Sequence, residues 1–237
     1  FSSFQKVGNV VLVVAALIML GLWLYSLRSR YSAEQALLKG NLELALSYDS
    51  TNFKVLYDLA RRKINQNKPD EALTYLNKAI YHSPNPMPGL HYARGNLFLT
   101  KEKHKEAYDD FVIVSQLEPK ADRIWQKLGD IALLHLKDYD KAIDYFSKGI
   151  ATEPYSYECY LGKGVAEYNS GKYENGIESF NQAANISMNQ PEIYYFRAYC
   201  KAETKDTEGA CADFRLALDL GYMKAQEGID SLCTPTY

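Results

Sequence analysis

The pattern of apolar and charged positions separates a short N-terminal segment from the rest of the chain. Residues 7–27 include no charged side chain and are mostly apolar. At about 1.5 Å per residue, a helix of this length spans the roughly 30 Å hydrocarbon core of a bilayer. Trp23 and Tyr25 lie near its end, where aromatic rings favour the membrane interface. The pattern predicts a transmembrane helix over residues 7–27, preceded by a flank at residues 1–6.

Two other interpretations of this segment fit less well. A cleaved signal peptide has a shorter apolar run and a small-x-small cleavage site, and no such site lies after this segment. A buried core helix would need apolar surroundings that the polar sequence downstream does not offer. The orientation of this segment in the membrane stays open. Arg28 and Arg30 favour a cytoplasmic location for the chain after the segment. The sequence starts at Phe1 rather than Met, so basic residues before it could reverse that count.

From residue 53 onward, large and small residues recur at a period near 34. Large residues stand at position 4, small residues at 8, 20 and 27, an aromatic residue or Leu at 24, and Pro at 32. In the third copy these include Gly129, Ala142, Phe146, Gly149 and Pro154. The copies occupy residues 53–87, 88–121, 122–156, 157–190 and 191–222, and Met188 and Tyr222 replace the final Pro in the last two.

This pattern resembles the tetratricopeptide-repeat (TPR) family over residues 53–222. The resemblance implies an all-α fold, a right-handed solenoid of about five helix-turn-helix repeats, in which small residues let the helix axes approach. The low content of Gly (14) and Pro (8) agrees with long helices. We expect a connecting helix at residues 28–52, and a C-terminal capping helix with a tail at residues 223–237.

In the TPR family, the first helix of each repeat lines a groove that binds peptides. Aromatic anchors among a few polar groups suit such recognition, although each tyrosine could instead only pack between helices. Tyr57 and Arg61 stand where repeats that clamp chaperone C-terminal carboxylates have Lys and Asn, so that subtype is not expected. The candidate groove residues are Tyr57, Arg61, Tyr92, Asn96, Gln126, Asp130, Leu161, Tyr168, Tyr195 and Tyr199.

The last repeat resembles the closing repeat of many Bacteroidota TPR proteins, through the run 209–214 and a late cysteine, Cys233. This resemblance implies a disulfide between Cys211 and Cys233, which would join the cap to the repeats and indicate an oxidising compartment. Buried free thiols are the equally open alternative. The disulfide and the arginine count point to opposite sides of the membrane. We expect the extracytoplasmic side of a bacterial inner membrane, with the cytoplasmic side as the alternative.

Nothing in the sequence indicates catalysis. The four histidines have no metal-ligand spacing, and no CxxC, HExxH, GxSxG or Walker loop is present. Gly162 and Gly164 resemble part of a Gly-rich loop but fall within a predicted helix, which favours packing. A formal net charge of −2 gives no reason to expect nucleic acid as a partner. We expect no enzyme activity, no cofactor, no metal and no small-molecule substrate.

These observations favour a membrane-anchored scaffold that recruits or assembles a membrane protein complex through protein or peptide partners. The alternative is a chaperone-like or translocon-associated factor that holds exported or unfolded chains near the membrane. A tyrosine-rich groove motivates the second possibility, because aromatic rings bind many sequences. Neither prediction names the partner, because a fold does not determine a function.

Overall fold

In the computed structural model, the described part of the chain covers residues 2–121 and 123–233, with side chains described from residue 14 onward. Every regular element in it is helical, which confirms the all-α prediction. Asp122 and the predicted tail at residues 234–237 lie outside the described residues. The helices are α1 Ser2–Leu38, α2 Leu42–Tyr48, α3 Phe53–Asn65, α4 Pro69–His82, α5 Pro88–Thr100, α6 His104–Leu117, α7 Ile124–Ile131, α8 Tyr139–Thr152, α9 Tyr157–Asn169, α10 Tyr173–Ile186, α11 Pro191–Glu203, α12 Thr207–Asp219 and α13 Ala225–Gly228, and π-helical turns follow α7 at Ala132–Leu136 and α13 at Ile229–Cys233.

The chain forms two compact units, which are Phe1–Leu97 and Phe98–Tyr237, so the division falls within α5. In the N-terminal unit, α1 ends at Leu38 and a turn at Gly40 reverses the chain into α2. Gly40 has a φ of +72°, which a residue without Cβ adopts readily. The Asn41 side chain then accepts a hydrogen bond from the Leu44 amide and caps α2. The single connecting helix expected over residues 28–52 is therefore wrong, because this Gly-Asn turn divides it.

The apolar stretch of α1 shows exposed side chains in its described portion. Leu17, Met19 and Leu22 are 62%, 67% and 61% exposed. Among the described residues, however, no helix is both long and apolar enough to cross a membrane. Residues 7–13, the first third of the predicted span, lie outside the residues whose side chains the structure describes.

Two small cores hold the N-terminal unit together. The first lies beneath the α1–α2 turn, where Ala36 and Ala45 pack with residues of α3. The second lies between α3 and α4, and α5 contributes to it. The Asn52 side chain caps α3 by accepting hydrogen bonds from the amides of Lys54 and Val55. The buried members of the second core are Leu56, Ala60, Ala72, Leu76, Ala79, Leu90 and Leu97.

In the C-terminal unit, a phenylalanine on each second helix packs against small residues on first helices. A Cβ added to Gly129 on α7 would lie 2.7 Å from the Phe146 ring, and one added to Gly162 on α9 would lie 2.4 Å from it. Gly164 meets the Phe180 ring in the same way. Gly162 and Gly164 therefore serve helix packing within α9, as the sequence favoured. Helix axes can come this close only because these positions lack a side chain.

The π-helical turn after α7 has a simple origin in the sequence. Gly129 and Ala142 are 13 residues apart, whereas the equivalent residues of the next hairpin, Gly164 and Gly176, are 12 apart. One additional residue inside a helical hairpin is commonly absorbed as a π-bulge. Here the Asp138 amide bonds to the Ala132 carbonyl at 2.9 Å, so the wider turn restores the packing register of α8.

Replacing Gly129 by Ala tests the close packing in the C-terminal unit. Ala has the higher helix propensity by about 1 kcal/mol, but its methyl group would overlap the fully buried Phe146 ring. We expect a net loss of about 1–3 kcal/mol in the free energy of unfolding, measured by chemical denaturation. The control is Gly89→Ala on α5, where the nearest side-chain atom is 3.6 Å away. That variant should gain up to about 1 kcal/mol; equal losses in both would contradict the packing explanation.

Candidate partner-binding surface

The candidate residues of the N-terminal unit lie on two first helices. Tyr57 and Arg61 are one turn apart on α3, and Tyr92 and Asn96 are one turn apart on α5, so each pair shares a helix side. Arg61 is exposed, with its guanidinium 6.0 Å from the Tyr57 ring centroid and 4.0 Å from the Asp58 carboxylate. An exposed ion pair of this length contributes little stability. Arg61 therefore remains available to solvent and to a partner.

In the C-terminal unit, the first helices α7, α9 and α11 lie side by side, because α9 contacts both of the others. Gln126 and Asp130 lie one turn apart on α7, and Tyr195 and Tyr199 lie one turn apart on α11. On α9, Leu161 and Tyr168 are two turns apart. All six candidate residues of this unit are partly buried.

The tyrosines of α9 and α11 form one connected aromatic cluster. The Tyr168 and Tyr199 ring centroids are 6.1 Å apart, and those of Tyr195 and Tyr199 are 5.0 Å apart in an edge-to-face arrangement. The Tyr195 hydroxyl donates to the Tyr199 hydroxyl at 3.4 Å. Tyr222 joins at 4.8 Å from Tyr195. We call Tyr168, Tyr195, Tyr199 and Tyr222 the tyrosine cluster.

Packing between helices is one function of this cluster. Tyr199 lies 5.1 Å from the Phe214 ring and Tyr195 lies 6.0 Å from it, centroid to centroid. Burial raises the pKa of Tyr195 and of Tyr168 above the ordinary tyrosine value, so both stay protonated and able to donate hydrogen bonds at neutral pH. Each ring also keeps part of its surface exposed. The cluster therefore combines a fixed apolar body with polar tips that a partner can reach.

The Asp130 carboxylate is partly buried, which disfavours its charged form. Burial raises its pKa to about 6, and nearby Lys127 offsets only part of that effect. No ion pair or hydrogen bond joins its carboxylate to another of the described residues. Side chains with perturbed pKa values concentrate at functional sites. This property distinguishes Asp130 among the residues that the sequence placed in the groove.

The Asp130→Asn variant should be more stable than the wild type at neutral pH. The folded pKa lies above the unfolded value, so protonated Asp130 is favourable at low pH, and this contribution disappears as pH rises through about 6. Asn removes the cost of the buried charge. We expect about 1–3 kcal/mol of added stability at pH 7.5, and a difference that shrinks toward pH 4. Asp109→Asn at an exposed position of α6 is the control; a matching gain there would contradict this account.

The structure joins Cys211 on α12 to Cys233 in a disulfide, which links sites 22 residues apart across the end of the repeats. On α13, which precedes the turn that contains Cys233, a Cβ at Gly228 would lie 2.6 Å from the Phe214 ring, so the cap also packs closely. Cys159 and Cys200 are buried free thiols. Burial raises the pKa of the Cys200 thiol to about 12, which keeps it protonated and unreactive at neutral pH.

Breaking this disulfide should destabilise the C-terminal end. We expect the Cys211→Ser/Cys233→Ser double variant to lose about 2–4 kcal/mol in the free energy of unfolding, measured by chemical denaturation under non-reducing conditions. Adding a thiol reductant should lower the stability of the wild type but leave the double variant unchanged. A wild type insensitive to the reductant would contradict a stabilising disulfide.

Several features of this surface were not predicted from sequence. Arg197 on α11 makes two hydrogen bonds with the Asp213 carboxylate, at 2.6 and 2.8 Å, and Lys201 lies 2.8 Å from the same group. These partners are 12 to 16 residues apart, and only the pairing of α11 with α12 brings them together. Tyr222 was noted only as a departure from Pro. The sequence signal that could have placed Tyr222 in the tyrosine cluster is that it is an aromatic residue in a repeat already rich in tyrosine.

Two histidines that the sequence placed in different repeats meet in the structure. His104 and His135 stack with ring centroids 3.3 Å apart, and the Nδ1 atom of His104 is buried without a hydrogen-bond partner. Burial lowers the pKa of His135. Within the residues that the structure describes, no group of three or more potential ligands could hold a metal ion.

Comparison with known proteins supports the repeat assignment. The tetratricopeptide repeat family model matches residues 92–158 and 131–191. The mitochondrial import receptor subunit TOM70 of Rattus norvegicus is 29% identical over 108 residues, which is 46% of this chain and 17% of that protein. The J domain-containing co-chaperone DNJ1 of Fusarium oxysporum f. sp. lycopersici is 26% identical over 170 residues, 68% of this chain and 32% of that protein. The chain thus spans only a minor part of the length of both relatives.

Solved structures share the fold. YrrB, described as a TPR protein with an unusual peptide-binding site, superposes with a TM-score of 0.72 at 18% identity, covering 80% of this chain and 97% of that one. A MamA structure from Desulfovibrio magneticus RS-1 superposes with a TM-score of 0.64 at 22% identity, covering 71% of this chain and 94% of that one. At these identities the likeness establishes the fold alone.

Proposed function

We propose that this chain, in which the tetratricopeptide repeat model matches residues 92–158 and 131–191, is a membrane-anchored scaffold that recruits or assembles a protein complex. The repeat fold is a protein-interaction fold. The observation that carries the proposal is the row of adjacent first helices α7, α9 and α11, in which partly exposed tyrosines of α9 and α11 form one connected cluster. Aromatic side chains held rigid by their neighbours are effective anchors for a peptide or protein partner.

The anchor is assigned to residues 7–27. This assignment rests on the uncharged sequence and on exposed side chains of α1, including Leu17, Ile18 and Leu24. A contiguous apolar surface of this kind is rare on soluble monomers and indicates contact with a membrane or another protein.

The Cys211–Cys233 disulfide supports an extracytoplasmic location for the repeats, in a bacterial cell envelope. Disulfides persist in the periplasm and are rare in the cytosol. Arg28 and Arg30, directly after the apolar segment, favour the opposite orientation. We follow the disulfide, because it is a covalent bond within the repeats and their cap.

A second candidate function has its own support. A holding factor for exported or unfolded chains would use the same tyrosine cluster with broad specificity, because aromatic rings bind many sequences. The co-chaperone relative matches 68% of this chain. The two functions differ in stoichiometry: a scaffold keeps a fixed partner set, whereas a holding factor carries varied clients at low occupancy.

Affinity purification of the full chain from carbonate-washed membranes in mild detergent tests both proposals. A scaffold should remain in the washed membranes and yield a stoichiometric set of partners, identified by native mass spectrometry. The control is Tyr168→Ala/Tyr199→Ala, which should lose those partners while residues 7–27 keep the protein in the membrane. Varied, substoichiometric clients would replace the scaffold with the holding factor, and recovery of the protein alone would overturn both. Release by carbonate would overturn the anchor.

A further inference from the structure

Two carboxylates lie beside the tyrosine cluster and a third lies on the adjacent helix α7, and none of the three has an ion pair among the described residues. Asp130 is on α7, Glu203 ends α11, and Glu227 is on α13. Electrostatic repulsion from Glu203 contributes to the raised pKa of Tyr168, and repulsion from Glu227 contributes to that of Tyr195, after the larger effect of burial. Glu203 lies one turn after Tyr199 on α11. Glu227 lies on α13, whose Ala225 packs in one cluster with Tyr195 and Tyr199. Both glutamates are exposed to solvent as well.

The cations of α9 and α11 are occupied by other carboxylates. Arg197 and Lys201 on α11 both bind Asp213 on α12. On α9, Lys163 lies 3.7 Å from Glu167, whose other oxygen accepts a hydrogen bond from the Ser179 hydroxyl at 2.6 Å. The positive charges of α9 and α11 are thus paired with Glu167 and Asp213, whereas Glu203 and Glu227 beside the cluster have no ion pair among the described residues.

The charge of the whole unit has the same sign. Residues 98–237 contain 16 Lys and Arg but 23 Asp and Glu, a formal net charge of −7, whereas the complete chain carries only −2. A local excess of one sign attracts partners of the other sign and speeds their association. A basic partner is the one that this unit would draw to its surface.

The same unit already shows rings and a carboxylate holding a cation together. The Lys148 ammonium lies 5.2 Å from the Trp125 ring centroid and 5.5 Å from that of Tyr145, and donates to the Asp144 carboxylate at 2.7 Å. Attraction between a cation and a ring face adds to the ionic contact. The tyrosine cluster offers the same components with Glu203 and Glu227, and no cation among the described residues forms an ion pair with either carboxylate.

We propose that this acidic aromatic surface, made by Asp130, Tyr168, Tyr195, Tyr199, Glu203 and Glu227, binds an extended basic segment of a partner protein through its Lys and Arg side chains. The inference rests on the proposed scaffold function and specifies the partner's chemistry. Neighbouring helix axes are about 10 Å apart, so the surface from α7 to α11 extends over about 20 Å. An extended chain covers that distance in about six residues, which a single cation or small molecule cannot do.

The direct test is fluorescence anisotropy with the full chain in detergent. The probes are two labelled peptides of about 12 residues, one alternating Lys with Ser and one alternating Glu with Ser. The wild type should bind the Lys peptide and not the Glu peptide. Glu203→Gln/Glu227→Gln should raise the Kd for the Lys peptide about fivefold or more. Asp130→Asn should weaken binding as well, and because this variant is expected to be the more stable protein, loss of folding would not explain the result.

The matched control is Glu174→Gln/Glu178→Gln on α10, where both glutamates are exposed and the net charge changes by the same amount. An equal rise in Kd for this control would reveal non-specific charge attraction and overturn the inference, as would equal binding of the Glu peptide or no binding of the Lys peptide. Failure of the scaffold function would appear separately, as the absence of co-purified partners from the wild type. A retained partner set without binding of the Lys peptide would reject only the basic segment.

Discussion

The packing of the C-terminal unit depends on contacts between buried phenylalanine rings and glycines on neighbouring helices. Phe146, Phe180 and Phe214 are fully buried, and each faces glycine on a neighbouring first helix or on the cap. A rigid ring against a bare backbone sets the distance between helices within narrow limits, because interiors are packed near crystal density. Because the Phe146 ring meets both Gly129 on α7 and Gly162 on α9, these contacts also set the spacing of those two first helices.

The close approach of first and second helices also determines which carboxylates the basic side chains bind. Once α11 lies against α12, Arg197 and Lys201 come within hydrogen-bond distance of Asp213, which is buried and would otherwise be an isolated charge. Glu167 is held by Ser179 for the same reason. Lys163 on α9 and Arg197 and Lys201 on α11 are thereby paired with these buried carboxylates. The residual negative charge beside the tyrosine cluster is therefore a consequence of packing as much as of composition.

Periodicity was sufficient to predict the helical hairpins and the role of Gly162 and Gly164, because the spacing of small and large residues reflects contacts within one hairpin. The division after Leu97 and the pairing of Arg197 with Asp213 depend on contacts between distant residues, for which the sequence has no local signal. The extra residue between Gly129 and Ala142 was visible in the sequence, and its structural result, a π-helical turn, follows from conserving the packing register. Asp130 was identified as a groove position, but its raised pKa required knowledge of its burial.

The C-terminal unit contains side chains that destabilise the isolated protein, and a binding role accounts for them better than helix packing alone does. A half-buried carboxylate without a partner at Asp130 and exposed carboxylates beside tyrosine rings are both unfavourable in the isolated protein, and packing alone would be served by neutral residues. At the far end, the Cys211–Cys233 disulfide and the close contact of Gly228 with Phe214 hold the cap that carries Glu227. A cap held in this way fixes the last carboxylate relative to Tyr195 before any partner arrives. Preorganisation of this kind lowers the entropic cost of association. This gives a physical reason for the rigid cap at one end of the surface. The unpaired Asp130 carboxylate at the other end is then a charge that a basic partner would neutralise.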